Sequence, residues 1–294
     1  MKRLENAESL TPQQLRSALK DKLREEGRAD LVSRLNKCGN PLRLRCADCH
    51  LLRDVFTRCD LKWCPSCQRA IAARNAARYA KIAAAAQWPL FVTFTCQHSI
   101  TDSVDLLRTV RRSHTKLRRL RWWKSAVKGG VVSYEVTNTN GNGWHPHGHA
   151  LIDCRWLSVR ESSPAVGATR EQWKAKGRRA TAEVAQQWSL CLGRRGTVHV
   201  RRVYSGEDGG IGAAVAEVLK YSVKGTDLVK VDSPIGPLID TLDRTRLLCS
   251  WGSFYRHSAV KRERCAPSMC QCGSCSWLPE EVLDKRLRNE LSRR

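Results

Sequence analysis

The residues best suited to chemistry lie in one short run, Trp144-His145-Pro146-His147-Gly148-His149-Ala150-Leu151-Ile152. Alternate side chains of a strand share a face, so His145, His147 and His149 point the same way. Two imidazoles at i and i+2 can converge on one cation at about 2.1 Å each. Upstream stands Val131-Val132-Ser133-Tyr134-Glu135-Val136-Thr137. Between the two runs lies Asn138-Thr139-Asn140-Gly141-Asn142-Gly143, a strong turn sequence. A hairpin centred on Gly141 sets Glu135 opposite His147, and a slip of two residues sets it opposite His149. Either register places the carboxylate on the histidine face. Two histidines and one carboxylate with open positions suit a catalytic divalent cation, Mg²⁺ or Mn²⁺. The bland alternative is a set of exposed, hydrated histidines, which leaves the aligned Glu135 without a purpose.

A second candidate is Glu217-Val218-Leu219-Lys220-Tyr221-Ser222-Val223-Lys224. At about 100° per residue, Glu217, Tyr221 and Lys224 share one helical stripe. A free tyrosine has a pKa near 10, so only about one in a thousand is ionised at pH 7. A neighbouring cation can favour the phenolate and a carboxylate can take the proton, which makes Tyr221 a candidate nucleophile. The same trio also fits an ordinary helix surface, where such pairs add a few tenths of a kcal/mol.

The chain carries 52 Lys+Arg against 28 Asp+Glu, a formal charge of +24 over 294 residues. A charge that large attracts polyanions, and nucleic acid is the first partner to consider. No acid falls between Asp105 and Glu135. That gap reads as a helix with Val104, Leu107, Val110, Leu117 and Leu120 on one face. Arg108, Arg111, Arg112, Arg118 and Arg119 fall on the other, which predicts a phosphate-binding face. Met1 is not followed by an apolar run, and no stretch of about 20 apolar residues occurs. A cytoplasmic protein without membrane attachment is therefore expected.

Fourteen cysteines in such a chain read as reduced thiols, many of them on metal. Cys46-Ala47-Asp48-Cys49 and Cys64-Pro65-Ser66-Cys67 are two CxxC knuckles, a structural zinc signal. Cys38 and Cys59 compete for the same places, so the four ligands stay open. Cys265, Cys270, Cys272 and Cys275 offer a further cluster of undefined role.

The elements that must position these residues follow from patterning. Residues 12–36 read as helical, and an alanine-rich helix is expected over 68–87, ended by Pro89. Strands are expected at 90–96, 130–138, 144–153 and 197–204, with the basic helix between the first two. A loop and a surface helix fill 158–180. A last helix runs over 211–224, with Gly225 as its cap. The organisation expected is 1–37 helical, 38–87 cysteine-rich segment and basic helix, 88–230 catalytic α+β domain, and 231–294 a C-terminal region.

Taken in order, Leu90-Phe91-Val92-Thr93-Phe94-Thr95, Tyr134-Glu135-Val136-Thr137, the histidine run and the Glu217–Lys224 run resemble the motif series of the HUH endonucleases. The closest likeness is to the single-tyrosine initiators of rolling-circle plasmid replication. Cys59-Asp60-Leu61-Lys62-Trp63-Cys64-Pro65-Ser66-Cys67 is similar to a cysteine-rich segment before the first strand in that family. The resemblance implies an antiparallel sheet flanked by helices, with a cysteine-rich zinc segment in front. It implies His147, His149 and Glu135 as metal ligands and Tyr221 as the nucleophile that forms a 5′-phosphotyrosine. Glu217 would then activate water for release. The implied partner is DNA at a replication origin, single-stranded at the nick, with host helicase and polymerase following. His-x-His-x-His is also similar to the histidine-triad nucleotide hydrolases, but Pro146 and Gly148 stand where that family places hydrophobic residues. Two rivals remain. An HUH transposase of an insertion sequence often carries paired tyrosines, and Tyr221 has no such neighbour. A non-catalytic zinc DNA-binding protein explains the charge and cysteines but not the aligned triad.

Overall fold

A computed structural model describes residues 10–99, 103–138, 143–203, 210–220, 223–255 and 276–282. All structural statements below concern these residues. The fold is α+β, with antiparallel sheets flanked by helices.

Its centre is a five-stranded antiparallel sheet built from β3 (Pro89–Cys96), β4 (Gly129–Thr137), β5 (His145–Asp153), β6 (Gly196–Arg202) and β7 (Leu248–Gly252). The strand order is β6-β3-β5-β4-β7. Strands β3 and β5 lie inside the sheet, each mostly buried and each with a neighbour on both edges. Strand β7 lies in a stretch where patterning predicts no strand, and it pairs with β4.

Both faces of this sheet are covered, and by different helices. On one side pack α4 (Ser103–Arg119), α6 (Arg170–Leu192) and α9 (Gly236–Arg244), around a core that includes Phe94, Leu107, Leu117, Trp123 and Trp188. The indole of Trp188 donates to the Thr95 carbonyl at 2.7 Å, which fixes α6 to the sheet. The loop and surface helix expected over 158–180 therefore reach further into the fold. The helix begins at Arg170 behind a Thr169/Gln172 capping box and continues to Leu192, with Val184, Trp188 and Leu192 buried. On the other side pack α3 (Pro65–Ala84) and α7 (Gly210–Leu219), around Tyr79, Ile82, Phe91, Leu151, Val215 and Val218.

The stretch expected as one helix over 12–36 is two, α1 (Pro12–Glu25) and α2 (Ala29–Asn36). Gly27 turns the chain between them at φ +70°, a left-handed conformation that costs other residues about a kcal/mol or more. This N-terminal pair is tied to the far end of the chain. The Glu26 carboxylate accepts from the Ile235 and Gly236 N–H groups at 2.8 Å each, capping the start of α9. The ammonium of Lys62 donates to the Leu242, Asp243 and Thr245 carbonyls at the other end of α9, at 3.0, 2.8 and 2.8 Å. A carboxylate at a helix start and a cation at its end both satisfy unpaired backbone groups and oppose the helix dipole.

A small second sheet, β2 (Leu52–Phe56), β1 (Pro41–Cys46) and β8 (Trp277–Pro279), stands beside the cysteine-rich segment. The helix expected over 211–224 ends at Leu219. Val223 forms a parallel bridge with Val136, Lys224 is extended, and Gly225 opens α8 (Gly225–Lys230) rather than closing α7. A side chain at 225 would meet Pro65 at 3.0 Å, so packing rather than helix capping explains this glycine. No helix is long and apolar enough to cross a membrane.

Candidate metal centres and nucleic-acid face

Strands β4 and β5 pair in the register that centres their turn on Gly141, so Glu135 stands opposite His147. The turn residues 139–142 lie outside the described residues. Glu135 is 1% exposed, and its Oε2 lies 3.2 Å from Nε2 of both His147 and His149. The other ring nitrogens are occupied. His147 Nδ1 meets the His145 carbonyl at 3.0 Å, and His149 Nδ1 meets Thr93 Oγ1 at 3.2 Å. A carbonyl can only accept, so His147 donates from Nδ1 to the His145 carbonyl, and Nε2 is the ring nitrogen that faces Glu135. Such outer hydrogen bonds are what orient histidines on a metal. Two imidazole nitrogens aimed at one carboxylate oxygen need a cation or a proton between them. The donor set fits a divalent metal with further positions open.

Burial alone would raise the Glu135 carboxyl. Hydrogen bonds from His147 and His149, the charge of His147 and the ammonium of Lys220 outweigh it and hold it at about 2. The ligand is therefore an anion across the neutral range. His145 lies next to the triad, its ring 5.3 Å from that of His147 and 4.3 Å from that of His98. Burial, then His147 and His98, lower its pKa to about 4. Its carbonyl, rather than its ring, is what orients His147.

Helix α7 brings Glu217 over the same sheet face, but the cation that comes with it is Lys220, not Lys224. Lys220 Nζ lies 2.7 Å from Glu217 Oε1 and 3.8 Å from Glu135 Oε2. The single Glu217–Tyr221–Lys224 stripe requires a helix through 224, and the bridge of Val223 to β4 ends that possibility. Tyr221 lies outside the described residues. Lys220 was legible only as a residue three positions after Glu217, a spacing many helix surfaces share. Beside the triad opens a cavity of about 510 Å³, lined by Ser133, Leu219 and Lys220 with Arg244 and Arg246 at its side.

The cysteines divide differently from the expected set of Cys46, Cys49, Cys64 and Cys67. Cys64 and Cys67 gather with Cys38 and Cys59, all four sulfurs within 4.8 Å of one another. Measured pairs are 3.7 Å for Cys38–Cys64, 3.5 Å for Cys38–Cys67 and 3.6 Å for Cys59–Cys67. A tetrahedral zinc with bonds of about 2.3 Å sets its sulfurs about 3.8 Å apart, close to these values. Cys64 caps the N-terminus of α3. A hydrogen bond from the Cys59 thiol, then backbone N–H groups of Cys67 and Ser66, outweigh burial and lower its pKa to about 5. Burial and the charge of Cys64 push Cys67 up to about 11. One thiolate is thus favoured and the next opposed, as expected of a cluster that needs a cation to ionise fully. Cys46 and Cys49 are excluded because β1 leads the chain away. Strand β1 pairs with β8 at Cys46–Trp277, beside the C-terminal segment. Cys265, Cys270, Cys272 and Cys275 lie outside the described residues. Cys38→Ser or Cys59→Ser is expected to lose bound zinc, while Cys46→Ser keeps the ion at this centre. Elemental analysis of protein purified without added metal, beside unfolding curves, checks this; equal zinc loss in Cys46→Ser would contradict the grouping.

The five arginines of α4 also divide. Arg108, Arg112 and Arg119 are exposed. Arg111 and Arg118 lie over the rings of Tyr134 and Trp251, at 5.8 and 4.6 Å from the centroids. Moreover, α4 packs on the sheet face opposite the triad. His114 of α4 bonds the Tyr134 hydroxyl at 2.8 Å, and Tyr134 points away from its neighbour Glu135. Burial, then Arg118, lowers His114 to about 3, so it is a neutral core residue.

An antiparallel sheet carries two histidines and a glutamate on one hairpin, with a four-cysteine cluster in front, so this α+β fold holds two candidate metal sites. Residues 52–156 match the family model described as replication protein, the rolling-circle plasmid Rep family, which supports a Rep-like HUH endonuclease. The match covers a little over a third of the chain, from β2 to the end of β5. It includes Cys59, Cys64, Cys67, Glu135, His147 and His149 and stops before Glu217 and Tyr221. Comparison with curated proteins and with solved structures finds no match to the chain.

Proposed function

We propose that this chain is a rolling-circle replication initiator that nicks one DNA strand at an origin and holds the 5′ end as a phosphotyrosine. The family match supports a replication initiator at the level of family. The observation that carries the chemistry is the buried Glu135 between His147 and His149. In this reading His147, His149 and Glu135 hold Mg²⁺ or Mn²⁺, which when bound polarises a phosphate and neutralises its charge. The protein's own groups do the rest. Thr93 and the His145 carbonyl fix the two imidazoles. Tyr221, two residues beyond α7, supplies its phenol oxygen to the phosphorus. The 3′-oxygen of the preceding nucleotide leaves, and the exposed 3′-OH is what a polymerase extends. Lys220 takes the part first given to Lys224, holding Glu217 and drawing negative charge toward the site. Glu217 later accepts a proton from the water that frees the finished strand. Zinc on Cys38, Cys59, Cys64 and Cys67 is structural, fixing the start of α3, which packs on α7. The partners are origin DNA and, after nicking, a host helicase and polymerase, and the setting is the cytoplasm.

The test is incubation of the protein with supercoiled DNA carrying the origin, with and without added Mg²⁺. A nicked circle with protein on a 5′ end supports the reading. Full-rate nicking after chelation contradicts the metal assignment. DNA binding should also weaken steeply with salt. Arg108, Arg112 and Arg119 alone imply a slope of log K against log salt near about −3 for duplex DNA. An affinity unchanged between low and moderate salt would remove the basis for a phosphate-binding face on α4.

A further inference from the structure

Strand β6 is one edge of the large sheet, and along it runs a groove of about 800 Å³ between the strand and the first half of α6. The helix presents Arg170, Lys174 and Arg178 at i, i+4 and i+8, one continuous stripe, with Trp173 in the same stripe. Arg202 and Trp156 line the groove from the sheet side. No aspartate or glutamate lines it. Glu161, five residues past Trp156, is held by Arg179 at 2.8 Å.

The aromatic rings are placed for contact rather than for packing. Trp173 is 41% exposed and meets Trp156 edge-on at 5.7 Å between centroids. The Trp156 indole donates to the Glu161 carbonyl at 3.1 Å, which fixes its plane. Past Arg202, Trp88 is 36% exposed, with the guanidinium groups of Arg155 and Arg202 at 5.6 and 5.8 Å from its ring centroid. Between Trp173 and Arg178 stands Gly177, in the middle of a long helix. A glycine there costs about 0.5–1 kcal/mol relative to alanine. A Cβ added at 177 would meet nothing within 4 Å, so no packing requirement explains it. Its missing side chain keeps the groove open.

Positive charge without acid, flat exposed rings and an open floor are the features that bind single-stranded nucleic acid, with phosphates on the cations and bases on the rings. Duplex DNA cannot offer its base faces to a tryptophan. An acidic peptide could add to the edge of β6 but has no use for three tryptophans. The groove lies on the sheet face opposite the triad, and a strand leaving it can reach the triad face round the free edge of β6. His199 of β6 lies across from Thr93, which bonds His149, so the strand edge stands two strand spacings, roughly 10 Å, from the metal ligands.

We infer that this groove is a binding track for the single DNA strand flanking the nick, with bases stacked on Trp173 and Trp156 and phosphates held by Arg170, Lys174 and Arg178. The inference rests on the proposed reading for its choice of DNA, and it places a second hold on the strand outside the reacting centre.

The test uses the full chain with chelator present, so that no nicking intervenes, and a fluorescent 20-nucleotide thymidine oligomer. Trp173→Ala should weaken binding about tenfold, and Trp173→Phe should recover most of it. Replacing Arg170, Lys174 and Arg178 with Gln should reduce the slope of log K against log salt by about 2. Gly177→Leu projects into open space, so it should fold normally yet block the groove and weaken binding by at least about tenfold. Duplex of the same length should be indifferent to Trp173→Ala. Unchanged oligomer affinity in Gly177→Leu and Trp173→Ala, both with wild-type circular dichroism, would overturn the groove assignment while leaving nicking intact. A wild-type chain that binds no single strand at all would overturn both readings.

Discussion

Tyr221→Phe should bind origin DNA as the wild type does and form no covalent protein–DNA adduct. The variant lacks only the phenol oxygen that a phosphotyrosine at this position requires. Tyr134 is buried on the opposite sheet face, bonded to His114, and Tyr79 is buried under α7. Loss of adduct should therefore be complete, whereas binding rests on cations that the substitution does not touch. Glu217→Ala should act later. Tyr221 could still attack, so nicking should continue within a few-fold of normal, but release by water would lose its proton acceptor. Lys220 would also lose its 2.7 Å partner, leaving Glu135 at 3.8 Å among its neighbours. Covalent complex and released circle measured in one time course separate the two roles. An adduct of normal yield in Tyr221→Phe would refute the nucleophile. Normal release in Glu217→Ala would leave that residue as a partner of Lys220 and no more.

His147→Ala and His149→Ala should each reduce nicking by on the order of 10³-fold. Each removes one of the three proposed ligands and leaves Glu135 buried with one imidazole. Glu135→Gln should be comparably damaging, since an amide cannot replace an anionic ligand in a site where the carboxyl is held at about 2. A milder probe lies one layer out. Thr93→Val removes the hydroxyl that meets His149 Nδ1, and such outer-layer losses weaken metal binding by about 10- to 100-fold. Raising the metal concentration should therefore rescue Thr93→Val but not His149→Ala. Metal titrations of the nicking rate check this, and equal rescue of both would mean that His149 is not a ligand.

The sequence by itself determined what depends on local geometry. The two-residue period of a strand put His145, His147 and His149 on one face, and the glycine-rich segment before them left two registers, both with Glu135 on that face, of which the structure takes the one opposite His147. The antiparallel sheet flanked by helices and the presence of a cysteine site ahead of it were readable for the same reason. Only the tertiary structure decided which cysteines meet. The β1–β2 hairpin carries Cys46 and Cys49 away, and α2 returns Cys38 to Cys64 and Cys67, a choice that spacing along the chain does not contain. It also decided that α7 stops at Leu219, because Val223 bridges to β4, and so set Lys220 rather than Lys224 beside Glu135. The arginines of α4 show the same limit. Helical periodicity places them away from the apolar stripe, but only packing tells which are drawn over Tyr134 and Trp251 and that the whole helix lies behind the sheet. Contacts between residues far apart in sequence are made by burial of surfaces, and burial has no signature in the spacing of the residues it joins.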